Sequence, residues 1–236
     1  MDIIKKLAQE LTIKEEQAKA AVQLIDEGNT IPFIARYRKE MTGALNDETL
    51  RNLHERLLYL RNLEEKKEQV INAITEQGKM TDDLKKKILA AETLVAVDDL
   101  YRPYRPKKQT RATKAKEKGL EPLANILLLQ ATSKSMEEEA QSFVDEAKGV
   151  TNAKEALAGA KDIIAEMIAD KADYRKSIRN CTMKQGRLVV KAKDEKVESV
   201  YEMYYDFSEE LSKITGYRVL AINRGEKEKF LTVKVE

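Results

Sequence analysis

The 236-residue chain is 42% apolar and 36% charged, and it contains no Trp, one Cys and one His. These counts exclude a disulfide scaffold and leave too few His and Cys ligands for an ordinary zinc site. Its apolar runs fall far short of the roughly 20 residues of a membrane helix, and the first residues lack the apolar core of a signal peptide. We therefore expect a folded, mostly helical, cytoplasmic protein without a membrane span.

Charge is unevenly distributed along the chain, although the net charge is only +2. Residues 101–120 contain eight Lys or Arg and one Glu, whereas residues 121–170 contain ten Asp or Glu and four Lys. A basic segment with a net charge of +7 thus precedes an acidic segment with a net charge of −6. Such adjacent blocks indicate specialised surfaces.

The first half of the chain predicts a helix-turn-helix element at residues 14–41, in which Gly28 separates two short helices. Asn46 or Asp47 then begins a long helix that ends at Gly78. Leucines and other apolar residues recur along it at helical spacing and predict a buried stripe at Leu50, Leu53, Leu57, Leu60, Leu63, Val70, Ile71 and Ile74. Pro103 and Pro106 predict an extended, basic loop within residues 101–118.

The second half predicts another long helix that begins at Thr151 and ends at Gly186, with a buried stripe that Lys171 interrupts. Its buried stripe is predicted at Leu157, Ala160, Ile164, Met167, Tyr174, Ile178 and Cys181. Residues 200–211 favour a further helix. Residues 217–222 and 230–235 are rich in β-branched and apolar types, and with the loop 223–226 they predict a β-hairpin.

The predicted fold is therefore mainly α. It is an irregular multi-helix bundle with a helix-turn-helix element, two long helices and a small C-terminal β-hairpin. We expect a helical region at residues 1–190, followed at residues 191–236 by a short helix and the hairpin.

The sequence offers few residues for catalysis. His54 and Cys181 belong to different predicted helices and have apolar neighbours, so we interpret both as packing residues. No Gly-rich phosphate loop is present. We predict no catalytic residue, no metal ligand and no cofactor, and we expect that the chain is not an enzyme.

Two features suggest nucleic-acid binding, because Arg and Lys neutralise phosphates and aromatic rings stack on bases. One is the second helix of the helix-turn-helix element, and the other is the basic loop. The candidate contact residues are Arg36, Tyr37, Arg38, Lys39, Tyr101, Arg102, Tyr104, Arg105, Lys107, Lys108 and Arg111. For the helix pair, the alternative is an ordinary small bundle. For the loop, the alternative is that its tyrosines pack inward while its cations pair with the acidic segment.

Four segments resemble the Tex family of bacterial transcription accessory proteins, and together they extend over nearly the whole chain. They are TIPFIARYRKEMTG (30–43), DLYRPYRPK (99–107), EKGLEPLA (117–124) and YRVLAINRGE (217–226). Members of the family often have His at the position of Tyr217 and Gly at the position of Lys229.

The resemblance implies a helical N-terminal region with a helix-turn-helix element. In the family this region precedes an RNase-H-like domain, a helix-hairpin-helix domain and a C-terminal OB-fold that binds RNA. None of these has a counterpart in the sequence, so we expect a part of a longer protein. Two interpretations follow: the region contacts RNA or DNA, or it is a scaffold that docks other domains or transcription machinery such as RNA polymerase.

Overall fold

The computed structural model describes residues 2–236, which form two compact units, the first ending at Pro106 and the second comprising Lys107–Glu236. Helices dominate, and the only sheet in the described part of the chain is a three-stranded one near the C-terminus. The predicted mainly α fold is therefore confirmed. None of the helices in residues 2–236 is long and apolar enough to cross a membrane.

The first unit is entirely helical. Its six α-helices are α1 (Ile3–Leu11), α2 (Glu15–Asp26), α3 (Ile31–Tyr37), α4 (Asp47–Glu76), α5 (Asp82–Ala90) and α6 (Leu94–Tyr101). The 30-residue α4 begins as predicted, because the Asn46 side chain accepts a hydrogen bond from the backbone N–H of Thr49. It ends before Gly78, whose φ is +67°. The predicted stripe along α4 is confirmed: from Leu50 to Ile74 it forms the centre of the core, with Ile71 at its edge.

Two arginines of α4, Arg56 and Arg61, form ion pairs with the neighbouring helices α1 and α2. Arg56 donates two hydrogen bonds, of 2.6 and 2.8 Å, to Glu10 of α1. Arg61 donates two bonds, of 2.8 and 2.7 Å, to Asp26 of α2. The Arg56 hydrogen bond lowers the pKa of Glu10 below its ordinary value of 4.5, and Arg61 likewise lowers the pKa of Asp26. These arginines are part of the fold of the first unit.

The helical part of the second unit contains α7 (Arg111–Glu117), α8 (Glu121–Leu129), α9 (Met136–Gln141), α10 (Ala153–Asp170) and α11 (Ala172–Gln185). Helices α7, α8 and α9 pack around α10. Ala160 and Ile163 of α10 are buried, and Leu157 and Ile164 are partly buried at the edge of this core.

The second predicted long helix is divided into two helices at Lys171, and its predicted buried stripe is wrong from Met167 onward, because Met167 of α10 is already 47% exposed. Lys171 has an extended backbone (ψ 116°) that ends α10, and no residue of α11 is buried. Ile178 is 65% exposed, and Cys181 is exposed rather than packed in the core. The spacing of apolar residues predicted a helix correctly here, but spacing does not show whether anything packs on its face.

The C-terminal sheet consists of β1 (Arg187–Ala192), β2 (Asp206–Glu210) and β3 (Leu231–Val235), in the order β2-β1-β3 with both pairs antiparallel. A further helix, α12 (Gly216–Lys227), precedes β3. Central strand β1 begins before the predicted boundary between residues 190 and 191.

The predicted hairpin is wrong in one of its strands. Residues 217–222 lie in α12, and β3 pairs with β1 instead. Residues 200–211 form a 3-10 turn, Glu202–Tyr204, and strand β2 rather than a helix. The cause is tertiary: Ile222 and Gly225 on one face of α12 are buried next to Leu231, so packing overrides the β-propensity of the segment.

Candidate nucleic-acid interface

The backbone around α3 is fixed by a few residues of the 30–43 segment. Ile34 is fully buried in the first core. The buried Thr42 hydroxyl donates to the backbone oxygen of Arg38 at 3.3 Å. Gly43 has a φ of +62°, and Gln17 of α2 donates to its carbonyl oxygen at 3.0 Å. A Cβ at this position would lie 2.7 Å from the Gln17 amide nitrogen, so both conformation and space favour glycine.

The outward face of α3 is aromatic and basic. Tyr37 is 57% exposed and Phe33 is 37% exposed, with ring centroids 5.3 Å apart. The Arg38 guanidinium lies 5.3 Å from the Phe33 centroid, within the range of a cation–π contact. Arg36 and Lys39 are exposed and have no ion pair within the described part of the chain. We call these five residues the α3 surface.

Residues 101–105 lie on the first unit in a different environment. Tyr101 and Tyr104 are half-buried against the core. Arg105 pairs with Asp98 at 3.1 Å and lies 5.6 Å from the Tyr101 ring centroid. Arg102 is exposed on the 3-10 turn Arg102–Tyr104. The expected extended conformation is thus seen at Arg105 (ψ 131°) but not at the turn, because Pro is tolerated in a first helical turn.

The structure does not bring these two groups together. Asp26, at the end of α2, pairs with Arg61 of α4. Helix α3 comes next in the chain, which then leads to the start of α4 at Asp47. Tyr104 lies at the other end of α4, where its carbonyl oxygen accepts a 2.9 Å hydrogen bond from Gln77. About 24 Å of helix separates Arg61 from Gln77. The first unit therefore presents two distinct groups of candidate residues.

In the second unit, adjacent lysines of the basic segment have different roles. Lys107 forms an ion pair with Glu166 at 3.3 Å and another with Asp170, both on α10. Lys108 is exposed, without an ion pair to any residue in 2–236. Arg111 is 88% exposed and lies 3.8 Å from Asp162. The alternative interpretation, in which the basic segment pairs with the acidic segment, therefore holds closely at Lys107 and loosely at Arg111.

Helix α7 adds two basic residues that the candidate set omitted. Arg111, Lys114 and Lys118 recur at steps of three and four, which places them on one face of the helix. They line a groove next to α10, where the Lys118 ammonium donates to the Gly149 carbonyl oxygen at 2.7 Å. The i, i+3, i+7 spacing of these basic residues is visible in the sequence. It indicates a shared face only if residues 111–117 are helical, and that helix was not predicted.

His54 is half-buried on α4, and residues 2–236 contain no group of three or more His, Cys, Asp and Glu side chains arranged to hold a metal ion. The fold and the basic surfaces together define a class: a mainly helical, two-unit module with exposed cationic and aromatic side chains on α3.

Comparison with known proteins gives the family. Residues 1–75 match the Tex-like protein N-terminal domain, and residues 131–236 match the Tex central region-like family. The chain belongs to the Tex family and corresponds to the N-terminal part of its members.

Named relatives agree with this assignment. The chain is 44% identical over 233 residues to the uncharacterized protein YdcI of Bacillus subtilis, covering 98% of the chain and 32% of that protein. It is 41% identical over 239 residues to the transcriptional accessory protein Tex of Neisseria gonorrhoeae, covering 100% of the chain and 31% of the relative. It is 32% identical over 244 residues to the human S1 RNA-binding domain-containing protein 1, covering 99% of the chain and 24% of that relative. The chain thus spans about a third or less of the length of these relatives.

Proposed function

We propose that this chain is a non-catalytic, nucleic-acid-associated module of a Tex-like transcription accessory protein, and that α2 and α3 act as a helix-turn-helix whose second helix contacts RNA or DNA. The observation that carries the proposal is the α3 surface. Buried residues of the segment already account for its fold, so the exposed Arg36, Tyr37 and Lys39 have no evident role within the first unit. Cations beside exposed rings suit phosphates and bases.

The remaining candidates form a second, weaker group in the proposal. Arg102, Lys108 and Arg111 expose cations that would attract phosphate, whereas Tyr101 and Tyr104 present only their outer edges. Arg105 and Lys107 contribute less, because the carboxylates with which they pair offset their charge. The names of two relatives, a transcriptional accessory protein and an S1 RNA-binding domain-containing protein, support a nucleic-acid role for the longer protein.

A salt-dependent titration tests the α3 surface. Labelled single- and double-stranded RNA and DNA are titrated with the chain at several salt concentrations, because phosphate contacts weaken steeply with salt. In the variant Arg36→Ala/Lys39→Ala, we expect weaker binding and a salt slope reduced by about 1.4 to 1.8, from roughly 0.7 to 0.9 per phosphate contact. The control Lys85→Ala/Lys86→Ala removes the same charge from exposed positions of α5.

Equal losses in both variants would mean that only net charge matters, and the α3 surface would not be the contact. Absence of binding at every salt concentration would favour the alternative function, a scaffold that docks other domains or RNA polymerase. The ion pairs of Arg105 and Lys107 are the observation that favours this alternative, because they assign part of the basic segment to folding. Hydrolysis of a nucleic acid or nucleotide by the chain, lost on replacing one of its own carboxylates, would contradict the non-catalytic assignment.

A further inference from the structure

Helix α11 is unusual because none of its 14 residues is buried. Most protein helices are stabilised by packing an apolar face, and an isolated helix of this length is only marginally stable in water. Residues of α11 nevertheless include Tyr174, Ile178 and Met183, whose exposed fractions are 45%, 65% and 57%. These side chains form an apolar face that the rest of residues 2–236 leaves largely exposed.

These side chains form one wall of a groove. Ile168 and Ala169 at the end of α10 line it together with Tyr174, Ile178 and Met183 of α11. Ile168 is itself 50% exposed, and the neighbouring Met167 is 47% exposed. The apolar part of the groove is therefore continuous across the break at Lys171. Contiguous exposed apolar side chains with a polar rim are typical of protein-binding sites.

The rim of the groove is cationic. Residues 171–185 contain five Lys or Arg and a single Asp, and Arg175 and Arg179 lie in the lining itself. A second copy of the chain would bring these cations against one another, which disfavours self-association through this face. The positive charge of the rim would also attract nucleic acid, but the aliphatic side chains of Ile168 and Ile178 would gain little from contact with phosphates.

We propose that the groove formed by the end of α10 and by α11 binds an amphipathic helix of a partner protein, with an apolar stripe at steps of three and four residues flanked by Asp and Glu. The apolar stripe covers Ile168 and Ile178, and the acidic flanks face Arg175 and Arg179. Helix-in-groove recognition uses this combination of aliphatic anchors and complementary charge. Binding also supplies the packed face that α11 lacks.

Two synthetic helices of about 18 residues test the proposal. Both carry Leu at the stripe positions, and they differ only in having Glu or Lys on the flanks. Their binding to the whole chain is measured by fluorescence anisotropy, and amide hydrogen exchange of α11 is followed in parallel. We expect the Glu peptide to bind at least tenfold more tightly than the Lys peptide and to slow exchange in α11.

Substitutions in and next to the groove test whether the peptide binds there or associates with the chain non-specifically. Ile178→Asp should weaken binding of the Glu peptide at least tenfold, whereas the control Ser177→Asp, on an exposed position outside the lining, should not. Arg175→Glu/Arg179→Glu should reverse the preference between the two peptides. Because α11 has no buried residue, we expect the thermal midpoints of Ile178→Asp and Ser177→Asp to stay near that of the parent.

Several outcomes would overturn the proposal. They are no saturable binding of the Glu peptide at millimolar concentration, equal binding of both peptides, or equal effects of Ile178→Asp and Ser177→Asp. A labelled oligonucleotide that displaces the Glu peptide and no longer binds the Ile178→Asp variant would make the groove a nucleic-acid site. Dimerisation in sedimentation experiments that is lost in Ile178→Asp would make the occupant a second copy.

Discussion

Lys229 adopts a backbone conformation that suits glycine. It follows the end of α12 with a φ of +69°, in the left-handed region. The N–H of Phe230 donates to the carbonyl of Gly225 at 3.0 Å, and the N–H of Lys229 donates to that of Glu226 at 3.0 Å. This pair of bonds is the Schellman arrangement, in which glycine is the usual residue at the left-handed position. We predict that Lys229→Gly stabilises the second unit.

The magnitude follows from two opposing effects. The left-handed conformation costs an L-residue roughly 1–2 kcal/mol. Glycine has greater freedom in the unfolded chain, which offsets roughly 0.5–1 kcal/mol of that gain. The Lys229 side chain is exposed and forms no ion pair within residues 2–236, so its removal adds no further loss. A net stabilisation of about 0.5–1 kcal/mol is expected, which raises the thermal midpoint by about 1–4 °C.

Thermal and urea unfolding of the parent and variant chains measure this change. The matched control is Lys227→Gly, the same substitution at the last residue of α12, where the backbone is helical. The control should lose roughly 0.5–1 kcal/mol, because glycine is a poor helix former. If Lys229→Gly destabilises the chain as much as Lys227→Gly does, the left-handed strain assigned to Lys229 is wrong.

Three further predictions concern the cores and the ion pairs. Leu57→Ala in the centre of the first core should cost about 2–5 kcal/mol in chemical unfolding, and an unchanged midpoint would contradict its packing. Lys107→Ala should destabilise the second unit by about 1–3 kcal/mol, because the buried Asp170 loses an ion pair, whereas Lys108→Ala should leave the unfolding curve unchanged; equal effects would refute the distinction. The lowered pKa values of Glu10 and Asp26 mean that their pairs stabilise the first unit above the ordinary carboxyl pKa and that this contribution, about 0.2–1 kcal/mol each, is lost as the pH falls through the folded-state values. Unfolding curves between pH 7 and 3 should therefore show a smaller acid-induced loss for Glu10→Gln/Asp26→Asn, and identical pH profiles would argue against these pairs.

The parts of the fold that the sequence predicted are those with local signals. Helix α4 has a capping residue at Asn46, a glycine stop at Gly78 and apolar residues at regular spacing between them. Each of these signals acts within a few residues along the chain. The separation of α2 from α3 at Gly28 has the same local origin.

The parts that failed depend on distant partners. Residues 217–222 are rich in β-branched and apolar side chains, but β3 pairs with β1, about 40 residues earlier in sequence, and α12 covers Leu231. The apolar residues of α11 resemble those of α10 in spacing, yet only α10 has α7, α8 and α9 around it. The spacing of apolar residues predicts which face of a helix is apolar, but not whether another element packs against that face.

The candidate site was predictable only as a set of residue types. The sequence pointed to cations and rings, and the structure divides them by environment: Tyr37 is exposed, whereas Tyr101 is half-buried. Lys107 and Lys108 are adjacent and chemically identical. The positions of Glu166 and of Asp170, the latter 63 residues further along the chain, separate an internally paired cation from an exposed one.

The backbone of α3 is fixed by residues that lie outside the α3 surface. Ile34, Thr42 and the bond from Gln17 to the Gly43 carbonyl set the path of the backbone, and none of them belongs to the α3 surface. Substitutions of Arg36 and Lys39 should therefore cost little folding stability, whereas substitutions of Phe33 also remove its contacts with Tyr37 and Arg38. If the α3 surface contacts nucleic acid as proposed, a library that varies Arg36, Tyr37 and Lys39 would sample different binding preferences on the same helix pair.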